Sequence, residues 1–198
     1  MNKNLLIIKA IKNTIETKKR ILADKNTLST IEKIAKELIK AFKNDKKVLL
    51  CGNGGSAADA QHIAAELSGK FYLDREPLFA EALHTNPSFL TAVANDYSYD
   101  EVFARAVKAN GREGDILIGI STSGNSMNVI KAIEVANDKK MITVGLNGAT
   151  GGKLNGLCKH LIKVPSNDTP RIQESHILIG HIICEIVEKK IFGGPKIA

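Results

Sequence analysis

Tryptophan is absent from this 198-residue chain, aromatic residues make up 5% of it, and there are only three cysteines. Each shortage excludes something. Cys51, Cys158 and Cys184 are odd in number and widely spaced, so they fit neither a disulfide framework nor a zinc ribbon, and they point to a reducing, cytoplasmic setting. With so few aromatics, none of them interleaved with the lysines, a surface that stacks nucleic-acid bases is disfavoured. No apolar run approaches the roughly 18 residues of a membrane-spanning helix. The opening MNKNLLIIKAIKNT returns to lysine quickly and has no small-residue cleavage site, so it does not read as a signal peptide. A content of 43% hydrophobic and 25% charged residues excludes disorder and fibrous architectures.

The net charge of +7 is unevenly placed. Residues 1–47 hold 13 Lys/Arg against 5 Asp/Glu, whereas the remainder holds 15 against 16. Lys9, Lys12, Lys18, Lys19, Lys33, Lys36 and Lys40 fall between apolar helical positions, which predicts a solvated lysine-rich face. Neither a nucleic-acid nor a membrane partner is expected.

Hydrophobic periodicity predicts an amphipathic helix over 4–22, with Leu5, Ile8, Ile11, Ile15 and Leu22 on one stripe, and a second from Thr27 to Phe42. Short apolar runs follow at Lys47–Cys51, Pro77–Leu83, Ile116–Ile120, Met141–Leu146 and His160–Val164. Helical patterns lie between most of them, at Ser56–Ser68, Ser88–Ala94, Val102–Ala109 and Met127–Asn137. Strands alternating with helices indicate a parallel sheet covered on both faces. A last helix, Arg171 to Ile191, is apolar nearly all round and needs more than one neighbour, either the N-terminal helices or a second subunit.

Three constellations bear chemistry. Gly52-Asn53-Gly54-Gly55-Ser56 follows the first strand and opens a helix, where backbone N–H groups and the helix dipole favour an anion; a plain tight turn would look similar. It matches neither the dinucleotide fingerprint nor the Walker loop. Ser121-Thr122-Ser123-Gly124-Asn125-Ser126 places four hydroxyls in six residues at another helix N-terminus, more than N-capping requires. That composition reads as a neutral phosphate cradle, and the missing lysine suggests a sugar phosphate held for orientation. His62 and Glu66, four apart, share one helix face. Gln173 and His181 are further candidate ligands, separated by eight residues and so by roughly 12 Å of helix axis. They reach one ion only by leaning together or from different subunits.

The segments CGNGGSAADAQHIAAELSGKF, GISTSGNS and VPSNDTPRIQESHILIGH together closely resemble the phosphoheptose isomerases, sedoheptulose 7-phosphate isomerases of the sugar isomerase (SIS) domain class. The resemblance runs from about residue 27 to residue 190. It implies a three-layer flavodoxin-like α/β fold with a five-stranded parallel sheet. The single domain would span 1–198, with packing helices at 1–45, the core at 46–192 and a tail at 193–198. It also implies a homotetramer with active sites between subunits. Carried over by position, it implies one Zn2+ per subunit on His62, Glu66, Gln173 and His181. The implied substrate contacts are Asn53, Gly54, Gly55, Ser56, Glu66, Asn95, Asp96, Ser121, Thr122, Ser123, Ser126, Asp168 and Gln173. Glu66 would be the carbon base and His181 the proton shuttle to oxygen in an aldose–ketose isomerisation through an enediol. The alternative is a non-enzymatic SIS protein that binds the replication initiator DnaA; such proteins replace the equivalents of Glu66 and His181, both of which are present here.

Overall fold

The computed structural model of the chain describes residues 3–193. Two long helices come first, α1 (Lys3–Ala23) and α2 (Lys25–Lys43), followed by β1 (Val48–Gly52) and α3 (Gly55–Ser68). Next are β2 (Ala80–Ala82), α4 (Pro87–Asp96), α5 (Val102–Asn110), β3 (Ile116–Ser121) and α6 (Met127–Asp138). The chain closes with β4 (Ile142–Asn147), β5 (His160–Lys163) and α7 (Thr169–Phe192). Residues 194–198, most of the expected tail, lie outside the described residues; Gly193, at φ 69°, ends α7.

The five strands form one sheet in the order β2-β1-β3-β4-β5, every pair parallel. Alternation along each strand sends side chains to two separate cores. Val48, Leu50, Ile116, Ile118 and Ile120 pack with Ile34 and Leu38 of α2, Ile63 and Leu67 of α3, and Ile183 and Val187 of α7. Leu49, Cys51 and Leu117 face Phe103 and Val107 of α5 and Val129 and Ile133 of α6. Both faces are therefore covered, which is why the central strands β1 and β3 read as largely apolar runs. The run Pro77–Leu83 shortens to the three-residue edge strand β2; ahead of it, the Leu78 amide donates to the Leu67 carbonyl of α3 and not to a neighbouring strand.

The N-terminal helices behave differently from each other. Asp24 caps α2, accepting from the Asn26 amide, and α2 buries Ile31, Ile34, Ala35 and Leu38. The stripe on α1 is helical as expected, yet Leu5 is 63% exposed and Ile11 55%. Two polar ties hold α1 to the start of α7: the Thr14 hydroxyl donates to Glu174 at 2.7 Å, and Arg171 donates to the Ala10 carbonyl at 2.9 Å. Among the described residues no helix is long and apolar enough to cross a membrane.

Candidate active site

The chain leaves β1 for β2 on one side of the sheet and later places β3 on the other side, so a crevice opens between the carboxyl ends of β1 and β3. Ligands of open α/β sheets bind at such a point. The glycine loop leaves β1 there and the hydroxyl loop leaves β3.

Backbone bonds fix the hydroxyl loop. Gly124 takes φ 68°, a conformation open to glycine, and a Cβ there would collide with the Gly151 carbonyl and the Asn147 carboxamide. The amides of Gly148 and Leu154 donate to the carbonyls of Thr122 and Gly124. Ser121, almost fully buried, holds its hydroxyl 3.0 Å from that of Ser126 and 3.5 Å from that of Ser123. Ser126 stands at the N-cap of α6 but makes no capping bond, its hydroxyl turning instead to Ser121. The hydroxyls thus form a cluster beside uncapped helix N–H groups. A cleft of about 250 Å³ adjoins this loop, lined by Thr122, Ser123, Gly148, Ser166, Asn167 and Thr169 among others.

Asn53, in the glycine loop, pairs with Asn128 of α6, while Gly54 opens α3 with no side-chain cap. Asn95 and Asp96 end α4, exposed and bonded to each other at 3.0 Å. Three residues on, the Tyr99 hydroxyl lies 3.3 Å from the Asn53 carboxamide oxygen. Asp168 is the N-cap of α7; its amide donates to the Ser166 hydroxyl.

The second half of the site lies where α3 crosses α7. A Cβ on Gly180 would stand 2.5 Å from Ile63 Cδ1, so the missing side chain is what lets the helices approach. The neighbouring residues in sequence, His62 and His181, then meet: their Nε2 atoms are 3.0 Å apart, and His62 Nε2 is 3.1 Å from Glu66 Oε1. One donor atom from each of the three lies within 4.8 Å of the others. Donors around a tetrahedral zinc with bonds of about 2.0–2.1 Å stand about 3.3 Å apart, so this two-imidazole, one-carboxylate set fits a metal ion. The His62 side chain is 49% exposed and the Glu66 side chain 25%, so the cluster opens outward from this chain. Gln173 is elsewhere: a Cβ on Gly55 would collide with its carboxamide, which puts it at the mouth of the glycine loop.

A buried ion pair braces the crossing from below. Arg75, in the loop after α3, meets Glu188, two turns beyond His181 on α7, at 3.0 Å, with both side chains at most 3% exposed. Arg75 also donates to the carbonyls of Glu66 and Leu67, and Glu188 accepts from the amides of Phe71, Tyr72 and Leu73. Burial pushes the Glu188 carboxyl up, but those amides and the guanidinium outweigh it, holding it below the usual range. Phe71 is thereby set with its ring 5.8 Å from that of His181. On α3, burial pushes the Asp59 carboxyl up to about 6 against the pull of His62. Beneath the cleft, burial pushes His176 down to about 4, while its Nε2–H donates to the Asn147 carbonyl at 3.2 Å.

Sequence reading did not single out Arg75, Glu188, Asn128, Asn147 or His176. Asn147 had a usable signal, its position at the carboxyl end of a strand. Arg75 and Glu188 had none, because a charge in a loop or on a helix reads as solvated until its partner is known.

Residues 11–148 match the SIS domain family. The chain is 58% identical over 182 residues to the phosphoheptose isomerase of Aneurinibacillus thermoaerophilus, covering 92% of each, and 56% identical over 181 residues to phosphoheptose isomerase 2 of Campylobacter jejuni, covering 91% of this chain and 90% of that protein. Among solved structures, a phosphoheptose isomerase from Francisella tularensis superposes with a TM-score of 0.91 at 36% identity, covering 96% of this chain and 100% of that one. Phosphoheptose isomerase GmhA from Neisseria gonorrhoeae gives 0.87 at 42% identity, with 94% and 98% covered.

Proposed function

The chain belongs to the SIS domain family and, within it, to the phosphoheptose isomerases, and from that premise we propose how its residues divide the reaction. The enzyme interconverts D-sedoheptulose 7-phosphate and D-glycero-D-manno-heptose 7-phosphate, the first step of nucleotide-activated heptose biosynthesis for bacterial surface polysaccharide. One proton moves between C1 and C2 through an enediol, which requires a base, an acid and a stabiliser of the oxyanion.

Glu66 removes and returns the carbon-bound proton at its carboxylate. His181 carries a proton to and from the sugar oxygen, and Phe71 and the Arg75–Glu188 pair keep its ring facing Glu66. Ser121, Thr122, Ser123 and Ser126 hold the phosphate, while Asn53, Gly54, Gly55, Ser56, Asn95, Asp96, Asp168 and Gln173 contact the sugar. The binding energy of these remote groups positions the reacting carbons. His62, Glu66, Gln173 and His181 would hold one Zn2+ per subunit, and the ion would supply Lewis-acid polarisation of the carbonyl and enediol oxygens. Glu66 would serve as both ligand and base, so its carboxylate must be able to leave the ion to take the proton.

Gln173 lies eight residues along α7 from His181, at the mouth of another loop, which favours a site completed by a second subunit. The exposed apolar stripe of α1 supports the same reading, a homotetramer with sites between subunits. The comparisons give no support to the DnaA-binding alternative.

The observation that carries the proposal is the meeting of His62, Glu66 and His181 from two helices. Its test is conversion of sedoheptulose 7-phosphate by the purified protein with zinc present. Aldoheptose 7-phosphate should form, chelation should lower the rate and zinc should restore it. No product would overturn the reading, and full activity in metal-free protein would remove zinc from it.

A further inference from the structure

Asn128 sits in the first turn of α6 and is 3% exposed. Its side chain is oriented by the backbone: the Val129 N–H donates to Asn128 Oδ1 at 2.9 Å, so the carboxamide nitrogen points the other way. Across the crevice Asn53 meets it face to face. Asn53 Nδ2 donates to Asn128 Oδ1 at 2.9 Å, and Asn128 Nδ2 donates to Asn53 Oδ1 at 2.9 Å. The Tyr99 hydroxyl donates to the same Asn53 oxygen at 3.3 Å.

A carboxamide has two acceptor lone pairs and two donor hydrogens. Asn128 and Tyr99 occupy both lone pairs of Asn53, and Asn128 occupies one of its hydrogens. One N–H is left over. From this count we infer that Asn128 is a positioning residue: it locks the Asn53 carboxamide so that Asn53 meets the sugar phosphate only as a donor, offering a single N–H to a substrate oxygen. The pair also ties the glycine loop after β1 to the first turn of α6, the helix that the hydroxyl loop leads into, so the glycine loop keeps a fixed separation from that helix start. Without Asn128 the Asn53 carboxamide is free to rotate and present its oxygen to the ligand.

The inference rests on the proposed role of Asn53 in contacting substrate, and a double-mutant cycle separates the two. Steady-state rates are measured with sedoheptulose 7-phosphate and zinc for Asn53→Ala, Asn128→Ala and the double variant. Each single change should raise KM severalfold, the worth of one hydrogen bond, with kcat within about twofold of the parent. The double variant should be no worse than either, because Asn128 acts through Asn53. Asn128→Asp keeps the shape and the Val129 bond but deletes the donor to Asn53; it should raise KM similarly, and it carries the comparison if the alanine variant does not fold. Effects on KM that multiply in the double variant, or a loss confined to kcat, would overturn the inference alone. An unchanged KM in Asn53→Ala would overturn the role of Asn53 and the inference with it.

Discussion

The hydroxyl loop after β3 and the imidazole–carboxylate cluster between α3 and α7 differ in what holds them. The loop is fixed by its own backbone: a left-handed glycine, amides bonded to the carbonyls of Thr122 and Gly124, and a nearly buried Ser121 at its root. The cluster is a set of three long side chains on two separate helices, brought together by the space over Gly180 and braced by one buried ion pair. A group that holds a phosphate can be rigid from the start. Groups that move a proton must be close yet able to exchange partners. The proposed division of labour predicts that damage to the cluster appears in kcat and damage to the loop in KM.

The sharpest attempt to break this contrast is His181→Ala. It should lower kcat by about 10²–10⁴-fold, the range of a general acid–base group, while the thermal melt stays near that of the parent. An unchanged kcat would remove His181 from the chemistry. Next is Glu188→Leu, which leaves Arg75 buried without its counter-ion and should cost about 3–5 kcal/mol in denaturant unfolding. A loss below about 1 kcal/mol would mean the ion pair is not the brace described.

A smaller effect concerns pH. His176 has its folded-state pKa lowered to about 4, so folding favours its neutral form. That stability is fully present above the ordinary histidine value of about 6.5 and drains away as pH falls toward 4, reaching about 3 kcal/mol. His176→Gln should flatten this part of the stability curve relative to the parent; identical slopes for both proteins would contradict it. The smallest expected change is Ser123→Ala, which should raise KM for the sugar phosphate severalfold with kcat retained, the worth of one neutral hydrogen bond. A fall in kcat there would blur the contrast between the two regions.

Much of the sheet was legible because the central strands β1, β3 and β4 are buried on both faces and leave largely apolar runs, as at Val48–Cys51 and Ile116–Ile120. The edge strand was less so, since an apolar run beside a proline says little about how many residues pair. The glycine loop and the hydroxyl loop could be located from their composition at strand ends. The cluster was harder. Helical spacing placed His62 beside Glu66, but nothing local says that Gly180 lets α7 bring His181 to them. The position of Gln173 was also beyond spacing arguments, which limit its distance from His181 and do not say which loop it meets. Arg75 with Glu188, and Asn53 with Asn128, are pairs distant in sequence whose members each look ordinary alone.

The central claim is that the Glu66 carboxylate moves the substrate proton while the loops only hold the sugar. Steady-state isomerisation of sedoheptulose 7-phosphate by Glu66→Gln, with zinc present and the fold verified, tests it most directly. The account predicts kcat at least about 10²-fold below the parent with KM within about threefold. A variant that keeps the parent kcat would contradict it.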